Sequence, residues 1–110
     1  MNEKMSVDEI AIGEVAGKAG QIADALRALG HEARLLVLCQ LVQQGEVTAG
    51  SLTGTAGLSQ SALSQHLARM RDEGIVATRR EGQTIWYRIA DPRVKDLVAE
   101  LYRLYCGVPQ

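Results

Sequence analysis

The sequence contains no phenylalanine, one tryptophan and two cysteines among its 110 residues. Without phenylalanine, the core of the folded chain must be built from Leu, Val, Ile and Ala side chains. Two cysteines are too few for the disulfide framework of a small secreted protein. No apolar run approaches the ~20 residues that a membrane span needs, and the first residues lack an apolar signal segment. We therefore expect a cytoplasmic protein that does not associate with membranes.

The chain also lacks a strong net charge, since 12 basic and 13 acidic residues give −1 at pH 7. This argues against a protein that binds polyanions over its whole surface. The distribution is uneven: residues 59–90 hold five arginines against three acidic residues, whereas residues 1–58 hold four basic and seven acidic residues. A local basic excess is typical of a protein that contacts nucleic acid through one face.

The most informative stretch is a predicted helix at about 59–73. Leu63, Leu67 and Met70 recur at helical spacing and form one apolar stripe. Ser59 is a suitable N-cap, and Gly74 is a suitable left-handed residue at the C-terminal end.

The opposite face of this helix carries amides and hydroxyls followed by arginine. Such side chains read base edges and contact phosphates when a helix lies in the DNA major groove. We predict DNA contacts from Gln60, Ser61, Ser64, Gln65, His66 and Arg69. Considered alone, the pattern fits an ordinary amphipathic surface helix equally well, and His66 could instead pack against the following hairpin.

A short helix precedes this stretch, with Thr48 as N-cap and a stop at Gly57. Two helices joined by a short glycine-containing turn are typical of a helix-turn-helix, whose second helix is the recognition helix.

Two β-rich runs follow, at about 75–80 and 83–89, and Glu81-Gly82 between them predicts a two-residue hairpin turn. A hairpin with basic flanks directly after a recognition helix is typical of a DNA-binding wing. We predict wing contacts from Arg79, Arg80 and Gln83, and a solvated strand position for Arg88.

Helices at both ends complete the domain. The first, about 6–29, opens with a capping box at 6–9 and carries three glycines that predict a break near Gly17–Gly20. A helix with such weak propensity needs a partner surface, which indicates a dimer. The last helix, about 92–106, is capped by Asp91 and ends at Gly107, and its apolar stripe fits either the core or a second subunit.

A central helix at about 31–43 is apolar nearly all round, which predicts full burial. His31 at its start is expected to cap or pair locally. The element order α-α-α-α-β-β-α predicts a mainly α fold with a β-hairpin wing. We interpret residues 1–110 as a single winged helix-turn-helix domain.

These features resemble the ArsR (SmtB/ArsR) family of bacterial repressors over nearly the whole chain. The similarity is carried by residues 29–35, 58–67, 72–76 and 83–89. The resemblance implies a homodimer, held by its N- and C-terminal helices, that binds double-stranded operator DNA and is released by an inducer.

Metal-sensing members of this family carry a cysteine pair in the helix before the turn, or His and carboxylates on the last helix. Here residues 47–52 contain no thiol, and the last helix offers Asp91, Asp96 and Glu100 without a histidine. A transition-metal site needs about four soft or imidazole ligands close together. We therefore expect no metal site and no cofactor.

Cys39 and Cys106 resemble a different branch of the family, the persulfide-sensing repressors of the BigR, SqrR and HlyU type. That resemblance implies that reactive sulfur species oxidise the two thiols to an intrasubunit disulfide or polysulfide bridge, which releases the DNA. From the residues alone, Cys39 is better explained as a small buried apolar side chain, whereas Cys106 at a helix end near Arg103 is more exposed.

Other functions stay open at this point. The inducer could be a metal ion or a general oxidant such as peroxide, and the domain could be a protein-interaction module. We do not expect an enzyme, because a thiol oxidoreductase favours a Cys-x-x-Cys pair or a cysteine at a helix N-terminus.

Overall fold

The computed structural model describes residues 9–107. The elements in chain order are α1 (Ile12–Leu29), α2 (Glu32–Gln44), β1 (Val47–Thr48), α3 (Ala49–Ala56), α4 (Gln60–Asp72), β2 (Val76–Glu81), β3 (Thr84–Ile89) and α5 (Pro92–Cys106). The three strands form an antiparallel sheet in the order β1-β3-β2. The predicted winged helix-turn-helix fold is confirmed, with one additional strand.

Helix α1 runs without interruption from Ile12 to Leu29. The predicted break near Gly17–Gly20 is therefore wrong: glycine lowers helix propensity without forbidding the helix. The predicted start at about residue 6 is also wrong, since Ala11 is the N-cap. The capping box predicted at 6–9 has its serine outside the described residues.

Helix α2 is buried on one side only. Val37, Leu38 and Leu41 lie in the core, but Leu36 is 39% exposed, so the prediction of burial all round is wrong. Helices α1, α3 and α5 pack against α2 and leave part of its circumference uncovered. His31 is the N-cap of α2, and its Nδ1 accepts a hydrogen bond of 3.2 Å from the Ala33 amide. The predicted capping role of His31 is therefore confirmed.

Strand β1 was not predicted, since a two-residue strand leaves no periodic pattern. It pairs with β3 through Val47 opposite Tyr87 and Thr48 opposite Trp86. Thr48 is also the N-cap residue of α3, but its hydroxyl contacts Ser51 Oγ at 3.2 Å instead of a backbone amide.

The turn of the hairpin lies one residue later than predicted. Glu81 pairs with Thr84, so the two turn residues are Gly82-Gln83 and not Glu81-Gly82. Gly82 has a φ of 64°, and glycine at the first central position is typical of a type II′ turn, whose twist matches that of the strands.

Helix α5 begins as predicted, with Pro92 in its first turn and Asp91 Oδ1 accepting from the Arg93 amide at 2.9 Å. Its residues Val94 and Val98 enter a core that α1, α2, α3, α4 and the sheet share. None of the helices among residues 9–107 combines the length and hydrophobicity required to cross a bilayer.

Candidate nucleic-acid interface and thiol site

Helix α4 has the two faces that its sequence predicts. Leu63, Leu67 and Met70 are at most 1% exposed and fix the helix to the core. The predicted DNA-contacting side chains other than His66 are exposed on the outer face, namely Gln60, Ser61, Ser64, Gln65 and Arg69. The helix therefore presents hydroxyls, amides and a guanidinium to solvent, which are groups that bind base edges and phosphates.

Both ends of α4 are fixed by hydrogen bonds that the sequence predicted. The Ser59 hydroxyl accepts from the Ala62 amide at 3.1 Å. At the other end Gly74, with a φ of 78°, donates to the Arg71 carbonyl at 3.0 Å, and Ile75 donates to the Met70 carbonyl at 2.8 Å. This pair of bonds is a Schellman motif, which turns the chain directly from α4 into the wing.

His66 differs from the other predicted contacts, because it is half-buried and engaged within the domain. Its Nδ1 accepts a hydrogen bond of 3.2 Å from Nε of Arg34, and its ring lies 4.7 Å from the ring of His31. Burial lowers the pKa of His66, and the charges of His31, Arg34 and Arg69 lower it further. The hydrogen-bond and ring partners of His66 come from the start of α2, and a contact with DNA or with the wing stays a prediction.

The predicted wing residues lie on the exposed part of the hairpin, but two of them bind other protein groups. Nε of Arg79 donates to both carboxylate oxygens of Glu46, at 3.0 and 2.9 Å, and this hydrogen bond lowers the pKa of Glu46. Nε of Arg80 donates to the Gly82 carbonyl at 3.1 Å. Gln83 is exposed in the turn.

The two cysteines are free thiols on neighbouring helices. Cys39 is half-buried on α2, whereas Cys106 is exposed at the last residue of α5. Burial raises the pKa of the Cys39 thiol, and the nearby Cys106 raises it further. Helices α2 and α5 pack against each other, so the fold places on adjoining helices two cysteines that are 67 positions apart in the chain.

A cavity of about 660 Å³ lies beside Cys39, between α2, α3 and α5. Its walls include Leu36, Gln40, Thr55 and Tyr102. Gln40 connects two of these helices: Thr55 Oγ1 donates to its Oε1, and its Nε2 donates to the Ser51 carbonyl at 3.4 Å. A side chain adjacent in sequence to Cys39 thus contacts the first helix of the helix-turn-helix.

Three residues of this region were missed by the reasoning from sequence: Arg34, Gln40 and Glu46. Arg34 and Glu46 contact residues 32 and 33 positions away, so no local pattern identifies them. An arginine directly before the apolar run 35–39 was the one available signal for Arg34, since a charged side chain buried at such a position requires a partner. Within residues 9–107 no group of three or more His, Cys, Asp or Glu is arranged to hold a metal ion.

The chain is similar to bacterial transcription regulators of known sequence and structure. Residues 31–78 match the family model described as bacterial regulatory protein, arsR family. The HTH-type transcriptional regulator YgaV of Escherichia coli is 44% identical over 95 residues, covering 86% of this chain and 96% of that protein. The transcriptional activator HlyU of Vibrio cholerae is 46% identical over 77% of this chain and 78% of its own length.

Among solved structures, the transcriptional repressor BigR from Xylella fastidiosa superposes with a TM-score of 0.81 at 35% identity. The alignment covers 90% of this chain and 100% of that one.

Proposed function

The chain belongs to the ArsR family of bacterial regulatory proteins and is a DNA-binding transcriptional repressor, and on that premise we propose that thiol oxidation controls its affinity for operator DNA. The repressor acts in the bacterial cytoplasm as a homodimer. Reactive sulfur species oxidise Cys39 and Cys106 to an intrasubunit bridge, and the DNA is released. The observation that carries the proposal is the packing of α2, which holds Cys39, against α5, which ends at Cys106; the charge of Cys106 also raises the pKa of Cys39.

The difference in burial between the two thiols suggests an order of reaction. Cys106 is exposed, so its thiolate attacks the outer sulfur of an organic persulfide RSSH. The sulfur–sulfur bond of RSSH breaks, RSH leaves with a proton, and Cys106 carries the persulfide.

The thiolate of Cys39 then attacks the inner sulfur of the Cys106 persulfide and expels hydrosulfide, which leaves as H₂S. The products are a disulfide, RSH and H₂S, and RSSH is the two-electron oxidant. If Cys39 has also been persulfidated by a second RSSH, its outer sulfur attacks the same atom and a trisulfide forms, again with loss of H₂S.

A covalent bridge changes the distance between α2 and α5, because a disulfide fixes the separation of its two Cα atoms within a narrow range. Gln40 follows Cys39 on α2 and binds Ser51 and Thr55 of α3. A displacement of α2 at this point is therefore transmitted to α3, which packs against the recognition helix α4.

The dimer is supported by the apolar side chains that α1 and α5 leave exposed. On α1 these are Ile12, Val15, Ile22 and Leu26, and on α5 they are Tyr102, Leu104 and Tyr105. A contiguous exposed apolar face on a monomer is typical of a protein interface. Two recognition helices in a dimer would contact half-sites about one turn of DNA apart.

The test is parallel exposure of the reduced protein to glutathione persulfide, glutathione disulfide and peroxide, followed by mass spectrometry and DNA-binding measurements. We expect persulfide to link Cys39 to Cys106 and to release the DNA. Cys39→Ser and Cys106→Ser should each bind DNA as the wild type does and resist release. Release of both variants by persulfide would contradict the dithiol switch, and release by peroxide alone would assign the protein to general oxidant sensing.

A further inference from the structure

Arg34 is a buried charge in the described part of the chain, with 8% of its surface exposed. Burying a guanidinium is unfavourable unless its donors find acceptors. Its ion pair with Glu73 is long, at 3.8 Å between Nη1 and Oε1, and lies beyond hydrogen-bond distance. The hydrogen bond that Arg34 does form goes from Nε to Nδ1 of His66, on the recognition helix.

This hydrogen bond determines the protonation state of His66. An Nδ1 that accepts a hydrogen bond carries no proton, so the ring is neutral and its proton resides on Nε2. Trp86 Nε1 is the sole side-chain polar atom, within residues 9–107, that is both buried and unpartnered. Nε2 of His66 has no hydrogen-bond partner within residues 9–107 and is not among such buried atoms, so it reaches solvent and its proton is available to a ligand.

The helical position of His66 places its ring at the boundary between the buried and the outer face of α4. Successive residues of α4 are rotated by about 100° around the helix axis. Viewed along this axis, His66 lies between buried Met70 and exposed Arg69, at the edge of the predicted DNA-contacting surface. A side chain at the edge of a helix in the major groove faces the sugar-phosphate backbone more directly than the base edges.

We propose that Arg34 is a positioning residue for DNA binding, which holds His66 in the neutral tautomer whose Nε2–H donates to a phosphate oxygen of the operator. The inference rests on the DNA-binding function proposed above and adds a residue to it. It also assigns His66 the role of a neutral donor, in contrast to the exposed arginines, which bind phosphate as cations.

The surroundings of the ring favour this state over a cationic histidine. The titratable and charged groups that face the His66 ring are His31 and Arg34 at the start of α2 and Arg69 on α4. Glu73 forms the long ion pair with Arg34. The first three oppose a positive charge on His66, and the pKa of His66 is lowered by burial as well. Acidification would place a proton on Nδ1, facing Nε–H of Arg34, and would break the bond between them.

The first experiment reads the tautomer directly by nitrogen-15 NMR of the free protein. The chain has two histidines, so the His31→Asn variant, which retains a capping side chain, assigns the His66 signals. We expect an unprotonated Nδ1 and a protonated Nε2 on His66 at pH 7. In Arg34→Met, loss of the donor and of the charge should give a mixture of tautomers and raise the pKa of His66.

The second experiment measures affinity for duplexes that the reduced wild-type protein selects from a random pool. Arg34→Met and His66→Ala should each weaken binding by about 10-fold. If Arg34 acts through His66, Arg34→Met should cause no further loss in the His66→Ala background. Arg27→Met is the matched control, since it removes an exposed arginine from α1.

Thermal unfolding followed by circular dichroism checks that the variants fold. Arg34→Lys retains the charge and one donor group, and it replaces Arg34→Met in the affinity measurements if Arg34→Met does not fold. Its affinity should lie between those of the wild type and His66→Ala. The loss on His66→Ala should be equal across the selected sequences, as expected of a backbone contact.

The pH profile separates a neutral donor from a cation. We expect wild-type affinity to fall as the pH is lowered through the pKa of His66. The proposal is overturned by a rise in affinity as the pH is lowered, or by a protonated Nδ1 on His66 at pH 7. It is also overturned if the losses from Arg34→Met and His66→Ala add in the double variant, or if the loss on His66→Ala is confined to some sequences. If no duplex binds at all, DNA binding itself fails, whereas binding with unchanged affinity in Arg34→Met refutes only the role of Arg34.

Discussion

Arg79 on the wing and Glu46 in the loop before β1 form an ion pair that uses both carboxylate oxygens, with Nε at 3.0 and 2.9 Å and Nη2 at 2.9 Å. The guanidinium carbon of Arg79 also lies 5.5 Å from the centroid of the Trp86 ring on the adjacent strand. An arginine that the sequence assigned to DNA is thus directed toward the body of the protein. The pair connects β2 to the loop at the end of α2.

Replacing Glu46 with Gln should strengthen DNA binding. The substitution removes a negative charge beside the wing and frees Arg79 to contact a phosphate. We expect a several-fold increase in affinity and a steeper dependence on salt, with the logarithmic slope larger by about one. The measurement is a binding titration at several salt concentrations.

Asp24→Asn is the control for this change, because it removes a carboxylate from the Asp24–Arg27 pair on α1, away from the wing. Affinity and salt slope should stay close to the wild-type values. If Glu46→Gln weakens binding, Glu46 instead supports DNA binding by orienting the wing, and Arg79 does not compete for phosphate.

The two thiols should differ in reactivity at neutral pH. Burial and the neighbouring Cys106 raise the pKa of Cys39, so a smaller fraction of this thiol is ionised at pH 7 than in an isolated cysteine. An alkylating reagent should therefore modify exposed Cys106 first, and the rate at Cys39 should increase with pH into the alkaline range. Mass spectrometry of the digested protein at successive times measures both rates.

The Cys106→Ser variant separates the two causes of the raised pKa. It removes the smaller contribution, from Cys106, and leaves the larger one, from burial. The pKa of Cys39 should fall in this variant and still remain above that of an isolated cysteine. An unchanged alkylation profile at Cys39 would show that the two thiols do not interact.

The recognition helix and the wing could be predicted because their signals are local. Ser59, Gly74 and the three apolar residues of α4 define its limits and its buried face within 16 residues of sequence. Strand β1 and the contacts of Arg34 and Arg79 could not be predicted, because each depends on residues more than 30 positions apart that only the fold brings together. The shift of the hairpin turn has a local cause: Gly82 could serve at either turn position, and pairing of Glu81 with Thr84 decides between them.

Gln40 should be required for communication between the thiols and the helix-turn-helix. Gln40→Leu removes the hydrogen bonds to Ser51 and Thr55 while keeping a side chain of similar size. We expect the affinity of the reduced variant to change by less than about 3-fold, since exposed hydrogen bonds each contribute little. The difference in affinity between the reduced and the persulfide-treated protein should become smaller than in the wild type.

Gln43→Leu is the matched control for Gln40→Leu. Gln43 lines the same cavity and is exposed on α2. The variant should respond to persulfide as the wild type does. A full response in Gln40→Leu would mean that oxidation reaches α4 by another route, such as the direct packing of α5 on the sheet.

The exposed apolar face of α1 should be the surface on which dimerisation depends. Ile22 and Leu26 are 46% and 53% exposed, one turn apart, and α1 contributes only its last residues, Ala28 and Leu29, to the buried core. A helix that also contains Gly13, Gly17 and Gly20 gains little stability from its own propensity. Packing against a second copy would supply the missing stabilisation.

Placing glutamate at both Ile22 and Leu26 should therefore separate the subunits, because two carboxylates from each copy would be buried against apolar surface. Sedimentation velocity should show a monomer, and DNA affinity should fall by about 100-fold or more, since one recognition helix no longer holds the other near its half-site. Gln21→Glu adds one carboxylate to the same helix, opposite Nη1 of Arg93, which already donates to Gln21 at 3.1 Å, and should leave the dimer intact. If the Ile22 and Leu26 double variant remains dimeric, the interface must be formed by α5 without α1, and the apolar face of α1 would need another explanation.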